Sequence, residues 1–268
     1  IIASLKGYGQ LICTESVGQT TDPRFRFDTV PRKSGKGINF YFNELMYAYK
    51  VGKSIAEFNP DVIIVSSDFP TYALDLLPPA TPKILTLHNT FWRPYGHPSG
   101  LSGHILRQLR RFSFRHVNLA ICVSLECQRQ FRKIKSGSPN QTFLQLPRIN
   151  RSFGGSEKNF PPSALLYVGR VEYDKGVEDL IYAFHSLRYD FPKLTLKIVG
   201  DGHALVPLKN LATELKLNEF ILFTGQIDAN GVGDSFITSD LCICPTRWSF
   251  NEGLATVPIE AASFGLPT

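Results

Sequence analysis

The sequence predicts an α/β protein of two doubly wound, Rossmann-like units, and three observations predict it. Apolar runs of strand length alternate with helical stretches almost from end to end, the order that builds a parallel sheet covered on both faces. Pro147, Gly154, Gly155, Pro161 and Pro162 break that rhythm among polar residues, so 151–163 reads as a linker between a unit at 1–150 and a unit at 164–268. The two parts also differ in charge: residues 1–150 hold 19 Lys and Arg against 9 Asp and Glu, and residues 151–268 hold 10 against 14. That asymmetry points to an anionic partner or membrane surface on the first unit.

In the first unit a strand is expected at 11–15, followed by a basic loop at 17–37. Phe42, Leu45, Met46, Tyr49 and Ile55 recur near 3.6 spacing and place a helix at 39–57. Strands follow at 61–66 and 83–88, with a short helix between them at 72–77. A Pro- and Gly-rich loop at 93–100 leads to a helix at 102–116, a strand at 119–124, a helix from Leu125 and a strand at 142–146. In the second unit, strands at 164–168, 194–199, 220–223 and 241–244 alternate with helices at 177–189, 204–215, 232–238 and 257–264. Sheets of this kind bind ligands at the carboxyl ends of their strands.

Composition narrows the function classes. At 43% hydrophobic and 12% aromatic the chain is not disordered, and no run approaches the roughly 18 apolar residues of a spanning helix. The five cysteines, Cys13, Cys122, Cys127, Cys242 and Cys244, lie in or beside apolar runs and not at metal-ligand spacing; they read as core thiols of a reducing compartment, Cys242 and Cys244 on one strand face. Gly52–Lys53–Ser54 lacks the upstream glycine of a phosphate-binding P-loop and reads as a helix end. Nucleic acid is disfavoured because the basic half has no aromatic platform or binding motif. Arg107, Arg110, Arg111 and Arg115 share a predicted helix with Leu106, Leu109, Phe112 and Phe114, a pattern that fits either an anionic bilayer surface or a solvated basic face.

Candidate chemistry concentrates at strand-to-helix junctions of the second unit. Gly169–Arg170 follows a strand and Lys175–Gly176 opens the next helix, so two cations meet free N–H groups and a positive dipole end, which suits a diphosphate. Taken alone the pair equally fits a solvated loop. Gly200–Asp201–Gly202 and Thr224–Gly225 end two further strands, where absent side chains admit a base or ribose, or merely form turns. In 245–262 two carboxylates, Glu252 and Glu260, stand eight positions apart, with Gly253 directly after the first. With Pro258 in the first helical turn and Thr256 as cap, both carboxylates are expected to face one crevice, though taken alone they equally fit a helix-capping Glu and a solvated Glu. Their separation, of order 10 to 20 Å, suits two ends of one sugar nucleotide better than an acid–base pair within about 5 to 10 Å.

From residue 164 to 268 these elements, in this order, resemble the nucleotide-binding domain of retaining glycosyltransferases of the GT-B fold, family 4. The resemblance rests on 166–170 with Lys175–Gly176, on 198–202, on 223–225, and on the E-x7-E element with Gly265–Leu266–Pro267 behind it. It implies that Arg170 and Lys175 hold the donor diphosphate beside Gly169, and that Glu260 accepts from the ribose hydroxyls. Glu252, with the N–H groups of Gly253 and Leu254, would address the donor sugar, and Gly202 and Gly225–Ile227 would border the base. The first unit fits the acceptor domain, with His88 lining the catalytic cleft between the facing domains; His97, His104, His116, His185 and His203 are read as surface or core residues. The family's first strand and glycine-rich loop should precede Ile1, residues 2–14 would then be a helix tail and second strand, and further βα units should follow Thr268, so both domains read as incomplete.

The implied activity is transfer of a hexosyl unit from a UDP- or GDP-sugar to the hydroxyl of a sugar or lipid-linked acceptor with retention, in polysaccharide, lipopolysaccharide or glycolipid synthesis. No metal or other cofactor is expected, and the site is cytoplasmic, peripheral on the inner membrane face. Two alternatives are weighed: a non-catalytic or truncated nucleotide-sugar binder, and an epimerase of the same plan, which would need further carboxylates and a cleft histidine.

Overall fold

The computed structural model describes residues 2–3, 9–13, 25–33, 35–93, 96, 100–135, 141–145, 158–248 and 250–268; His97 and most of the linker lie outside the described residues. The chain divides into two compact units, Ile1–Leu146 with Asn251–Leu254, and Pro147–Phe250 with Ala255–Thr268. The run expected at 164–268 is therefore interrupted: four residues around Glu252 belong with the first unit.

Unit 1 carries a small sheet of β1 (Ile2–Ala3), β2 (Gly9–Cys13) and β3 (Phe25–Thr29), with β2 parallel to β3 and antiparallel to β1. Two expectations are corrected here: residues 2–3 are strand and not a helix tail, and the loop at 17–37 contains β3, whose Phe–Arg–Phe alternation is the strand period. Helix α1 (Ile38–Phe58) leads to the parallel sheet β4 (Ile63–Ser66), β5 (Lys83–Leu87), β6 (Val117–Cys122) and β7 (Thr142–Leu144), paired in that order. Helices α2 (Gly100–Ser113) and α3 (Leu125–Lys135) flank β6 in sequence, and 3₁₀ turns cover Thr71–Leu76 and Phe114–His116. Alternate residues of β4 and β5 are buried with Val51, Ile55, Leu74, Phe114 and Phe131 in one apolar core. Gly52 lies within α1 and not at its end.

Part of the basic surplus of unit 1 is tied into its own fold, while most of its described Lys and Arg residues are exposed. Arg32 forks onto the buried Glu44, its Nε at 2.6 Å from Oε1, and donates to the Asp68 carbonyl. Lys83 is 1% exposed and caps the 78–81 turn by donating to the carbonyls of Pro78 and Thr81 at 2.6 and 3.1 Å. Burial pushes its amine down. The expected surface of four arginines on α2 needs correction as well. Arg110 donates to Thr71 Oγ1 and lies 4.9 Å over the Phe91 ring, and Arg107 donates to the Lys133 carbonyl. Arg111 is exposed, and Arg115 stacks on Phe112 at 3.4 Å. Of the apolar partners, Phe114 is buried, whereas Leu109 and Phe112 face solvent with Leu101 and Ile105.

Unit 2 is a parallel sheet in the order β10 (Ile221–Gly225), β9 (Thr195–Val199), β8 (Ala164–Val168), β11 (Leu241–Cys242). Helices α4 (Val177–Leu187) and α5 (Leu205–Glu214) pack Ile181, Phe184 and Leu208 against Leu165, Tyr167, Leu196 and Ile198. Helices α6 (Ala229–Thr238) and α7 (Val257–Ser263) pack Phe236 and Ala261 against Leu166, Val199 and Cys242. Because the chain winds outward from β8 through β9 to β10 and then crosses back to β11, right-handed crossovers put the helix pairs on opposite faces. Asp240 ties the entry of β8 down, accepting from Asn159, from the Ser163 N–H and hydroxyl, and from the Ala164 N–H at 2.9 to 3.1 Å. Burial alone would push this carboxyl up, but those donors outweigh it and bring it down to about 2. Cys242 is buried; Cys244 neighbours it as expected, but lies past the strand end and is exposed and not in the core.

Candidate functional site

Three loops meet edge to edge at the carboxyl ends of β8, β9 and β10. The Gly169 N–H donates to the Val199 carbonyl, Val171 to Asp201, Gly200 to Gly225 and Ala204 back to Val171, all at 2.9 to 3.1 Å. The α-carbon of Gly200 lies so close to the Gly169 carbonyl that a Cβ there would stand 1.9 Å from its oxygen, and Gly202 is pressed against the Val171 carbonyl in the same way. Glycine spacing that reads as ambiguous in sequence is thus a backbone-to-backbone seam, with Asp201 exposed between its Gly200 and Gly202. Ile227, expected beside the base, is half-buried against the α6–α7 core.

Arg170 follows the seam and is exposed, its guanidinium 2.8 Å from Glu172 while Tyr167 donates to its carbonyl at 2.7 Å. Lys175 belongs to a 3₁₀ turn, Tyr173–Lys175, and α4 starts only after Gly176. Its ammonium sits 4.4 Å from the Phe250 ring centre, a cation–π contact that orients it. Both sequence-predicted cations therefore lie on the β8–α4 connection. Glu260 stands in the first turn of α7 with its N–H bonded to the Thr256 carbonyl, and Pro258 occupies that same turn as expected. Thr256 takes the N-cap position but makes no side-chain cap, because its backbone is already helical.

Glu252 belongs with unit 1, where it forms an antiparallel bridge with Asn89, and the Thr90 N–H donates to the Asn251 carbonyl at 3.2 Å. Gly253 makes this possible. A Cβ there would lie 2.0 Å from the His88 carbonyl oxygen and 3.0 Å from Cys127 Sγ, so only glycine lets the strand end and the 251–254 segment touch. Leu254 is half-buried beside it. His88 is exposed at the end of β5, its N–H held by Ser67 Oγ at 3.1 Å. Asp68 accepts from Ser66 Oγ at 3.2 Å and from Asn89 Nδ2 at 3.4 Å. No motif marks Ser67, Asp68 or Asn89; their only signal in sequence is position, just past predicted strands. A cavity of about 350 Å³ bordered by Ala164, Thr195, Lys197, Glu219 and Ser239 opens at the amino ends of β8–β10, on the opposite edge of that sheet from its glycine seam.

A family model described as Glycosyltransferase Family 4 matches residues 6–140, and one described as Glycosyl transferases group 1 matches residues 150–268. The chain belongs to the GT-B glycosyltransferases. It is 35% identical over 106 residues to a glycogen synthase of Mycobacterium tuberculosis, which covers 40% of this chain and 25% of that protein. This chain therefore spans about a quarter of that relative's length. Sucrose-phosphate synthase of Thermosynechococcus elongatus has the same fold, with a TM-score of 0.68 at 19% identity over 96% of this chain and 69% of that one. So does a pneumococcal O-GlcNAc transferase in complex with UDP and GlcNAc, with a TM-score of 0.58 at 14% identity over 82% and 44%. As a GT-B member, the chain keeps the parallel sheets and strand-end loops of its fold in both units.

Proposed function

We infer that the protein transfers a hexosyl unit from a UDP- or GDP-sugar to an acceptor hydroxyl with retention, in the synthesis of a polysaccharide, lipopolysaccharide or glycolipid. The observation that carries this reading is the seam of Gly169, Gly200 and Gly225 next to a β8–α4 connection bearing Arg170 and Lys175. Glycines at these strand ends leave room for a flat base and ribose, and the two cations beside them suit the diphosphate. The UDP held by the O-GlcNAc transferase of the same fold supports a nucleotide diphosphate as the leaving group.

In this reading the bond between the sugar's anomeric carbon and the diphosphate oxygen breaks as the acceptor oxygen bonds to that carbon, and the hydroxyl proton leaves with the diphosphate. Arg170 and Lys175 take up the charge that grows on the diphosphate, so no divalent metal is required. Retention follows when the acceptor approaches from the face on which the diphosphate departs. Glu260 is assigned to the ribose hydroxyls, and Glu252 with the Gly253 and Leu254 N–H groups to the donor sugar. His88, Asp68 and Asn89 form the acceptor-side polar face of unit 1. An anionic membrane is the proposed setting, met by Arg111 and Arg115 beside the exposed Leu101, Ile105, Leu109 and Phe112 of α2.

A thermal-shift and hydrolysis screen of UDP-, GDP- and ADP-sugars tests the reading. One donor is expected to raise the melting temperature, and Arg170→Ala or Glu260→Ala to weaken its binding by at least about tenfold. A response left unchanged by both substitutions overturns the site.

A further inference from the structure

The β8–α4 connection is a poor place for a diphosphate by its own charge. Between Arg170 and Asp179 it carries four carboxylates, Glu172, Asp174, Glu178 and Asp179, against two cations, Arg170 and Lys175. Two of those carboxylates, Glu178 and Asp179, stand in the first turn of α4, where they compete with any anion for the helix's positive end. The structure places a third cation there from far along the chain. Arg247 forks onto Asp179, Nε to Oδ2 at 2.6 Å and Nη2 to Oδ1 at 2.8 Å, and its Nη2 also reaches Glu178 Oε2 at 3.1 Å. Its main-chain N–H donates to the Asp174 carbonyl at 3.1 Å. Next to it, Gly176 (φ 70) admits the Pro245 carbonyl at a point where a Cβ would be 2.0 Å from the oxygen. Phe250, three residues on, lies against the Lys175 ammonium. The pairing holds the Asp179 carboxyl below its ordinary range through the Arg247 hydrogen bonds, so the carboxylate stays charged and paired.

We propose that Arg247 is a positioning residue for diphosphate binding: it neutralises Glu178 and Asp179 at the tip of α4 and, with its carbonyl accepting from the Phe250 N–H, seats Phe250 so that its ring orients Lys175. The inference rests on the donor-site reading above and adds the residue that makes that site electrostatically workable. The fork lies at the surface beside the helix tip, so its charge acts on an anion bound there as well as on its own partners.

Calorimetric affinities for UDP, GDP and UMP on the whole chain decide it, together with melting temperatures. In Arg247→Met the nucleoside diphosphate is expected to bind about five- to tenfold more weakly, with UMP changing less than about twofold and the gap narrowing in high salt. Glu178→Gln with Asp179→Asn, two solvent-facing changes, is expected to tighten diphosphate binding severalfold. The triple variant that combines them with Arg247→Met should return to within about threefold of wild type. If the double variant weakens binding, or if Arg247→Met loses UDP and UMP equally and the triple variant does not recover, Arg247 is only a loop anchor and the proposal is wrong. If Arg247→Met does not fold, the double variant alone decides: tighter diphosphate binding supports the proposal, and unchanged or weaker binding overturns it. A wild-type chain that binds no nucleoside diphosphate overturns the donor-site reading, whereas normal wild-type binding with an indifferent Arg247→Met overturns this inference alone.

Discussion

Both units join neighbouring strand ends through main-chain hydrogen bonds, but unit 2 adds a run of close glycine approaches whereas unit 1 adds a cluster of polar side chains. At the ends of β8, β9 and β10, N–H and carbonyl groups of neighbouring loops bond one another directly through glycine approaches. At the ends of β4 and β5, main-chain bonds from Ser67 to the Thr86 carbonyl and from Val123 to the Leu87 carbonyl are supplemented by side-chain bonds among Ser66, Ser67, Asp68 and Asn89. Charge follows the same division. Unit 1 buries Lys83, half-buries Arg110 and pairs Arg32 with the buried Glu44, while unit 2 pairs Arg247 at its surface with carboxylates beside two candidate ligands for an anion. A backbone-built rim suits a ligand whose shape is constant, such as a nucleotide.

The sharpest way to break this comparison is Gly200→Ala. With φ at 133 and the Gly169 carbonyl in the way, the methyl should cost about 3 kcal/mol or more and abolish any donor-induced thermal shift; a mild variant would mean the seam is not backbone-tight. Glu44→Ala comes next, since it strands the Arg32 guanidinium half-buried, and a loss of about 3 kcal/mol in denaturant unfolding is expected. Asp240→Asn should cost about 2 kcal/mol by removing a charged acceptor from its donors. Its carboxyl is held below the unfolded value, so this stability is full above about pH 4 and is lost as pH falls toward about 2; the variant's melting temperature should vary less with pH across that window. Arg110→Ala should cost about 1 kcal/mol while Arg111→Ala stays within about 0.5 kcal/mol, yet only Arg111→Ala should weaken sedimentation with anionic vesicles. Equal effects of the two on vesicle binding would return Arg110 to the surface.

Much of this architecture is legible in the sequence. The alternation of elements, the break near residue 150, and the Gly169–Lys175, 200–202 and 223–225 junctions all follow from local period and turn chemistry, and the structure has parallel sheets with those junctions at their carboxyl ends. β3 escapes such a reading because a five-residue strand amid Pro and Gly has too short a period to stand out. The α2 arginines look like one face because helical spacing shows which residues share a side and not what packs against it; Thr71 and Phe91, far off in sequence, draw Arg110 inward. Arg247 lies within the 245–262 segment that also holds Glu252 and Glu260, yet nothing in its sequence neighbourhood gives it a role, since its partners are 68 and 69 positions away.

What the residues determine by themselves is therefore local: which stretches are strand or helix, where glycine must stand, and which junctions offer cations to an anion. Tertiary structure alone decides which charges pair with one another, and that Asn251–Leu254 packs against the end of β5 as part of unit 1. Dihedral preference and hydrophobic period act over a few residues, whereas a salt bridge or a carbonyl resting on a glycine needs two distant pieces of chain brought within a few ångströms.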